Sequence, residues 1–325
     1  MPTVTVAAFV GGLIWGNVSA HLPVYSSRST DKLNTSSMKT YAYRIVNVFA
    51  ETTLGGNPLC VFEDGRDLDT ATMQALALQF NLSETTFLLP ATTPEATARV
   101  RIFTPSFEMP FAGHPTLGTA HVVRDLLKAG DAVKLEMQAG IIPVTADKDR
   151  WTLLAGRPGT VPPSRSAATR ADLAHMLGLT EADIAGDALW VDTGSEQLII
   201  PLASVDAVER AQANIEQLIA HGTNEKRQGL AYVWAHDRTD GPDKVRSRFF
   251  FNKQGAVAED PGTGSATANL GGYFLNTGAQ LPINLAITQG IQTGRPCAIG
   301  LRVTAAKEIF VSGRVLELGR GVVTL

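Results

Sequence analysis

The sequence predicts an α+β protein made of two equivalent halves, each a curled β-sheet around one buried helix. Three observations predict it. A strand, turn and helix pattern occurs twice along the chain. The two runs that follow these turns are rich in Gly, Ala and apolar residues, as helices covered on most sides are. Short apolar runs of strand length, bounded by Gly, Pro, Asn and Asp, fill much of the remainder.

The repeat lays Arg101-Ile102-Phe103 and Gly113-His114-Pro115-Thr116-Leu117-Gly118-Thr119-Ala120 on Arg248-Phe249-Phe250 and Glu259-Asp260-Pro261-Gly262-Thr263-Gly264-Ser265-Ala266, with His114 on Asp260. In each copy a β-rich run, 98–103 or 245–251, leads to a Pro-Gly turn. A helix-like run follows, 116–128 in the first copy and 265–276 in the second, the latter without a charge. Ala129-Gly130 and Asn276-Thr277-Gly278 supply helix stops.

In chain order, strands are expected at 41–49, 59–62, 86–89, 98–103 and 141–145, then at 188–191, 197–201, 230–234, 245–251, 299–304 and 309–318. Amphipathic helices are expected at 70–80 and 168–178. Residues 1–38 read as a leader or extension outside the fold. Residues 39–155 with 310–325 form an N-terminal half carrying Glu84 and His114, and 156–309 a C-terminal half carrying Asp260 and the Gly-Thr-Gly-Ser turn. Within the leader, the apolar run 4–16 and Val18-Ser19-Ala20 imitate a signal peptide but lack a basic start. Met38-Lys39 stands directly before the first strand, so Met38 is the expected start and the cytoplasm the expected location, export being the alternative.

The 325 residues are 44% hydrophobic and 18% charged, enough apolar material for a large core. A formal charge of -3 with no basic run argues against a nucleic-acid partner, and no other window reaches the length of a membrane span. Cys60 and Cys297, far apart and without ligand spacing, fit a reducing compartment and no zinc framework. Dinucleotide, phosphate-loop, zinc-protease and nucleophile-elbow motifs are missing, so no cofactor and no metal are expected. His114 and His121 lack a third ligand.

Three ionisable residues stand out. The turn Gly262-Thr263-Gly264-Ser265 opens a helix, where free amides and the dipole favour a carboxylate or phosphate, though a well-capped helix end would look the same. Asp260 beside it has a structural reason to exist as a helix N-terminal acid, and His114 as an interior histidine; facing each other at matched positions they become an acid/base pair. Glu84 lies between an amphipathic helix and an apolar strand. It is either a surface turn acid or a desolvated carboxyl whose pKa rises towards the working pH of a carbon-acid base.

Gly56-Asn57-Pro58, Leu82-Ser83-Glu84-Thr85-Thr86-Phe87, Arg101-Ile102-Phe103-Thr104-Pro105, Pro110-Phe111-Ala112-Gly113-His114-Pro115-Thr116-Leu117-Gly118, Glu259-Asp260-Pro261-Gly262-Thr263-Gly264-Ser265-Ala266 and Gly294-Arg295-Pro296 together resemble the PhzF-like family of phenazine-biosynthesis isomerases. The resemblance runs from about Tyr41 to the C-terminus. It implies the diaminopimelate-epimerase-like fold and a cofactor-free isomerase acting on a small carboxylate-bearing, cyclic amino or hydroxy acid. It also implies Glu84 as the base, with His114 and Asp260 holding and relaying protons. Asn57, Gly113, Gly264 and Ser265 would bind the substrate, and a homodimer is expected. In place of the family's usual alanine and serine the chain has Gly262 and Cys297. A two-thiol racemase is disfavoured because neither cysteine adjoins His114 or Asp260. The alternative reading is a non-catalytic small-anion-binding protein of the same fold.

Overall fold

The computed structural model describes residues 38–156 and 163–325, so the reading of the leader lies outside the described residues apart from Met38. From the N-terminus come β1 (Thr40–Val48), β2 (Asn57–Phe62), α1 (Thr70–Phe80), β3 (Glu84–Leu89), β4 (Ala98–Phe103), β5 (Glu108–Met109), α2 (Gly113–Leu127), β6 (Ala132–Met137), β7 (Gly140–Asp147) and β8 (Arg150–Gly156). The second series is β9 (Ser164–Arg165), α3 (Arg170–Leu177), β10 (Leu189–Asp192), β11 (Glu196–Pro201), α4 (Val205–Arg210), α5 (Ile215–His221), β12 (Leu230–His236), β13 (Lys244–Lys253), β14 (Ala256–Asp260), α6 (Gly264–Asn276), β15 (Ile283–Gln289), β16 (Cys297–Val303) and β17 (Ile309–Thr324).

The same connectivity occurs twice. β2 runs parallel to β3 across α1 and β4 parallel to β6 across α2; β11 runs parallel to β12 across α4 and α5, and β13 parallel to β15 across α6. Parallel neighbours need a long crossover, and these helices are the crossovers. In the first half the pairings close into a ring, β1-β2-β3-β4-β6-β7-β8-β17 and back to β1. Helix α2 sits inside and touches every strand of that ring. Its Leu117, Gly118, Thr119, Ala120, Val122 and Val123 are buried on successive faces, which is why its composition is small and apolar.

In the second half the ladder runs β10-β11-β12-β13-β15-β16-β17 and α6 packs inside, with an unbroken buried stretch from Ala266 to Phe274. β17 is common to both. Its Ile309–Ser312 stretch pairs with β16, Ile309–Arg314 with β8, and Val315–Thr324 with β1, the last pair being Thr40 with Thr324. The strand therefore extends beyond the expected 309–318, because β1 supplies partners to its end. No helix among the described residues is long and apolar enough to cross a membrane.

The internal match holds in a different register from the one expected. Arg101 Nε and Nη2 donate to the Glu108 carboxylate at 2.7 and 2.6 Å, and Arg248 grips Glu259 in the same way at 3.0 and 2.7 Å. Gly113 and Gly264 are the first residues of α2 and α6. Glu108-Met109-Pro110-Phe111-Ala112-Gly113 therefore lies without a gap on Glu259-Asp260-Pro261-Gly262-Thr263-Gly264. His114 matches Ser265 rather than Asp260, whose own counterpart is Met109. The mistaken register arose because both Gly113-His114-Pro115 and Asp260-Pro261-Gly262 are Gly/Pro words; the partly buried ion pairs, invisible in the sequence, decide between them.

The helix ends divide into two kinds. On α1, α3, α4 and α5 the side chains of Asp69, Thr169, Ser204 and Asn214 accept a backbone N–H of the first turn. The N-caps of α2 and α6, Ala112 and Thr263, make no such bond. The central helices thus keep free amide donors at their starts.

Gly290, at φ +80°, holds the turn that packs on Pro261; a Cβ there would fall inside the van der Waals shells of the Arg295 and Pro261 carbonyl oxygens. Gly290→Ala is expected to cost roughly 2–5 kcal/mol from the left-handed backbone and the overlap together. The check is a urea midpoint that falls at unchanged slope; an unchanged midpoint contradicts it.

Candidate active site

The N-termini of α2 and α6 meet. A Cβ built on Gly113 would lie 3.8 Å from the Gly264 Cα, an ordinary van der Waals distance, so the two helix starts are in direct contact. Beside them is a cavity of about 120 Å³ lined by Glu84, His114, Asp260, Gly113, Gly264 and Ser265, with Met109, Phe111 and the loop Thr193-Gly194-Ser195 among its other walls. All three ionisable residues singled out from the sequence reach it, as do three of the four binding candidates.

Each arrives by a separate route. Glu84 is the first residue of β3, which the parallel register sets opposite Leu59. His114 is the second residue of α2, and Ser265 holds the same place on α6. Asp260 is the last residue of β14, not a first-turn acid of α6 as expected, since the first turn of α6 carries no acidic residue.

Asn57, at the start of β2, lies behind the cavity and ties the parts together. Its Nδ2 donates to Asp260 Oδ1 and to the Gly262 carbonyl, both at 3.0 Å. An amide nitrogen has two protons, so none is left for His114 Nδ1 at 3.5 Å. His114 Nδ1 therefore carries its own proton, donated to the Pro58 carbonyl, and the lone pair is on Nε2.

That Nε2 faces Glu84 Oε2 at 3.3 Å, with the two side chains only 7% and 15% exposed. The contact lacks hydrogen-bond alignment, so both atoms are buried without a partner. Buried polar atoms are seldom left so, and these are an acid and a base directed at one cavity. Burial, with the charge of Asp260 adding to it, pushes the Glu84 carboxyl up to about 8. Burial alone drives His114 down to about 3, only partly offset by the Pro58 bond. Both groups are held neutral around neutral pH, and Glu84 is poised to titrate just above it.

Asp260 is staged by residues that sequence reasoning did not single out as functional. Thr263 donates its hydroxyl to Asp260 Oδ2 at 2.5 Å, while Gln289, wholly buried in β15, donates to Thr263 Oγ1 at 3.0 Å and to the Asp260 carbonyl at 2.8 Å. Burial raises the Asp260 pKa, and the Thr263 and Asn57 donors oppose it. The available signal for Gln289 was a polar residue at an inward position of an alternating strand.

The thiols stand apart. Cys60 and Cys297 are buried, burial pushes both pKa values up, and neither lines the cavity. Cys297 explains Gly262 instead: a Cβ on Gly262 would come 2.6 Å from the Cys297 sulfur and 3.2 Å from Phe49 Cδ2. Gly262 thus leaves the room that the Cys297 sulfur occupies.

Two expectations follow. Gly262→Ala should lower the melting temperature, and Cys297→Ser, which shortens the opposing side chain, should recover part of that loss in the double variant; additive losses would refute the coupling. The acid/base pair should give opposing pH slopes. Glu84, raised in the folded state, contributes stability that is complete below its unfolded value of 4.5 and fades as pH climbs to about 8. His114, depressed, contributes stability that is complete above 6.5 and fades as pH falls to about 3. The melting temperature of Glu84→Gln relative to the parent should thus rise from acid to mildly alkaline pH, and a flat difference would contradict it.

The family model described as phenazine biosynthesis-like protein matches residues 46–324. An uncharacterized isomerase of Pasteurella multocida is 40% identical over 284 residues, 86% of this chain and 93% of that protein. The trans-2,3-dihydro-3-hydroxyanthranilate isomerase of Pseudomonas fluorescens is 31% identical over 295 residues, 87% of this chain and 99% of its own. Among solved structures, a Bacillus anthracis phenazine biosynthesis protein of the PhzF family superposes with a TM-score of 0.78 at 24% identity, covering 89% of this chain and 100% of its own. The fold is accordingly the diaminopimelate epimerase-like one expected. With a buried acid/base pair at the meeting point of its two helices, the chain belongs to the phenazine biosynthesis-like, or PhzC-PhzF, family and is an isomerase.

Proposed function

We propose that the protein is a cofactor-independent isomerase that moves a proton between carbons of a small, carboxylate-bearing cyclic amino or hydroxy acid, with Glu84 as the base. The observation that carries this reading is the unpartnered approach of Glu84 to His114 inside a cavity rimmed by two uncapped helix starts. The amides of Gly264 and Ser265 would receive the substrate carboxylate at the positive end of α6. Ionised Glu84 would take a proton from a ring carbon, the charge passing into the conjugated system, and would return that proton at another carbon. Nothing is oxidised or reduced, so the step needs no electron carrier. His114, neutral and with its lone pair towards Glu84, would accept and hand back a proton, and Asp260 would hold the substrate amino or hydroxyl group. The name of the Pseudomonas fluorescens relative supports a dihydro-hydroxyanthranilate as the first substrate to try.

Deuterium incorporation from heavy water into trans-2,3-dihydro-3-hydroxyanthranilate, and into cyclic amino acids such as hydroxyproline, tests the reading. Glu84→Gln should slow exchange by roughly 10²- to 10⁴-fold, the usual worth of a positioned general base. The parent rate should climb with pH until about 8, where Glu84 is ionised. Full exchange in the folded Glu84→Gln variant would remove Glu84 as the base; no exchange with any such substrate in the parent would favour a binding protein.

A further inference from the structure

A chain of buried amides leads from the loop before β11 to the cavity. Thr193 N–H and its hydroxyl donate to Asn269 Oδ1 at 2.9 and 2.7 Å. Asn269 Nδ2 donates to the Ser195 carbonyl at 2.8 Å and to Gln197 Oε1 at 2.9 Å. Gln197 Nε2 donates to Ser265 Oγ at 2.9 Å. Asn269 and Gln197 are 0% and 3% exposed, so water cannot rearrange the chain.

The direction of every bond is dictated from its far end. A backbone N–H only donates and a backbone carbonyl only accepts, so Thr193 and Ser195 together allow Asn269 one amide orientation. Asn269 must then offer N–H to Gln197, and Gln197 must offer N–H to Ser265. The Ser265 oxygen accepts from Gln197 on one of its two lone pairs, and its proton has no acceptor among the described residues. Partly exposed at the cavity wall, the hydroxyl is left to direct that proton inward.

The fold itself does not require this chain. Continued through the helices, the corrected repeat register lays Gly118 on Asn269, and the matched strand ladders lay Leu59 of β2 on Gln197 of β11. In the first half these two positions meet as plain apolar packing, a Gly118 Cβ coming 2.7 Å from Leu59 Cδ2. Two buried amides in the second half therefore answer to the site and not to the architecture.

We infer that Gln197 and Asn269 are positioning residues that hold Ser265 as a hydrogen-bond donor, so that the α6 end of the cavity favours an acceptor group such as a carboxylate. This rests on the carboxylate-binding reading above and adds the residues that enforce it.

Neutron diffraction from crystals exchanged into heavy water tests the chain without any ligand. The expected map has a Gln197 Nε2 deuteron on the line to Ser265 Oγ and the Ser265 deuteron turned away from it; a Ser265 deuteron directed at Gln197 overturns the inference. Calorimetry with anthranilate and its uncharged amide tests the consequence. In Gln197→Glu the new carboxylate accepts from both neighbours and draws the Ser265 proton away from the ligand. Anthranilate affinity should fall roughly ten- to a hundredfold, the loss of one charge-assisted hydrogen bond. The amide, which can turn its NH₂ to an accepting hydroxyl, should keep its affinity. Asn269→Asp should act alike from outside the cavity, by flipping the Gln197 amide, and neither change should add to Ser265→Ala. Equal losses for acid and amide, or a further loss on top of Ser265→Ala, would assign these residues a general structural role and overturn the inference. Should it fall while Glu84→Gln still abolishes exchange, the isomerase reading stands; should Glu84→Gln exchange freely, the neutron result is unaffected.

Discussion

The two protons on the Asn57 amide nitrogen are the constraint on which the site depends. Both are given across to the turn before α6, one to the Asp260 carboxylate and one to the Gly262 carbonyl. Those two hydrogen bonds join the start of β2 in one half to the turn before α6 in the other. It also exhausts the nitrogen, so His114 must use its Nδ1 proton on Pro58 and present a bare Nε2 to Glu84. One saturated donor thereby orders the turn, orients the acid and selects the histidine tautomer.

Around that point the usual pairing of polar groups is suspended. Four peripheral helices are capped by their own side chains, and the two central ones are not. Several buried polar atoms of the described residues have no partner, and among them only the facing atoms of Glu84 and His114 form an acid and a base against the same cavity. Leaving such groups unpaired opposes folding by a few kcal/mol each, so the surrounding barrel must hold them against relaxation. The closed ring of strands around α2 and the shared strand β17 provide that rigidity. Desolvation then does the chemical tuning, moving a carboxyl and an imidazole in opposite directions until both are neutral and neighbouring.

Much of this was legible locally. The helices at 70–80 and 168–178, the charge-free run that became α6, and strands such as 98–103 are carried by periodicity and composition that do not depend on neighbours. β6 and β15 alternate, Val133, Leu135 and Met137 facing inward between Lys134 and Glu136 in the first, but the charges of β6 and the polar Asn284, Thr288 and Gln289 of β15 dilute the apolar signal. α4 and α5, with 6 and 7 residues, are too short for helical periodicity to register. α2 began earlier than expected because Gly113, His114 and Pro115 read as a turn, and proline is in fact well tolerated in a first helical turn. The internal repeat was visible, but its register was not, since the Arg101–Glu108 and Arg248–Glu259 pairs that define it exist only after the strands have paired.

By itself, the chain's order of residues determined the elements, the twofold plan and which side chains had chemistry to offer, because propensity, alternation and turn formation act over a few residues. Only tertiary structure decided that Glu84 meets His114, that Ser265 rather than Asp260 is the partner position of His114, and that Gln197, Asn269 and Gln289 belong to the site. The physical reason is that proton affinity and hydrogen-bond direction depend on distance and exclusion of water, and both are set by strands brought together from opposite ends of the chain.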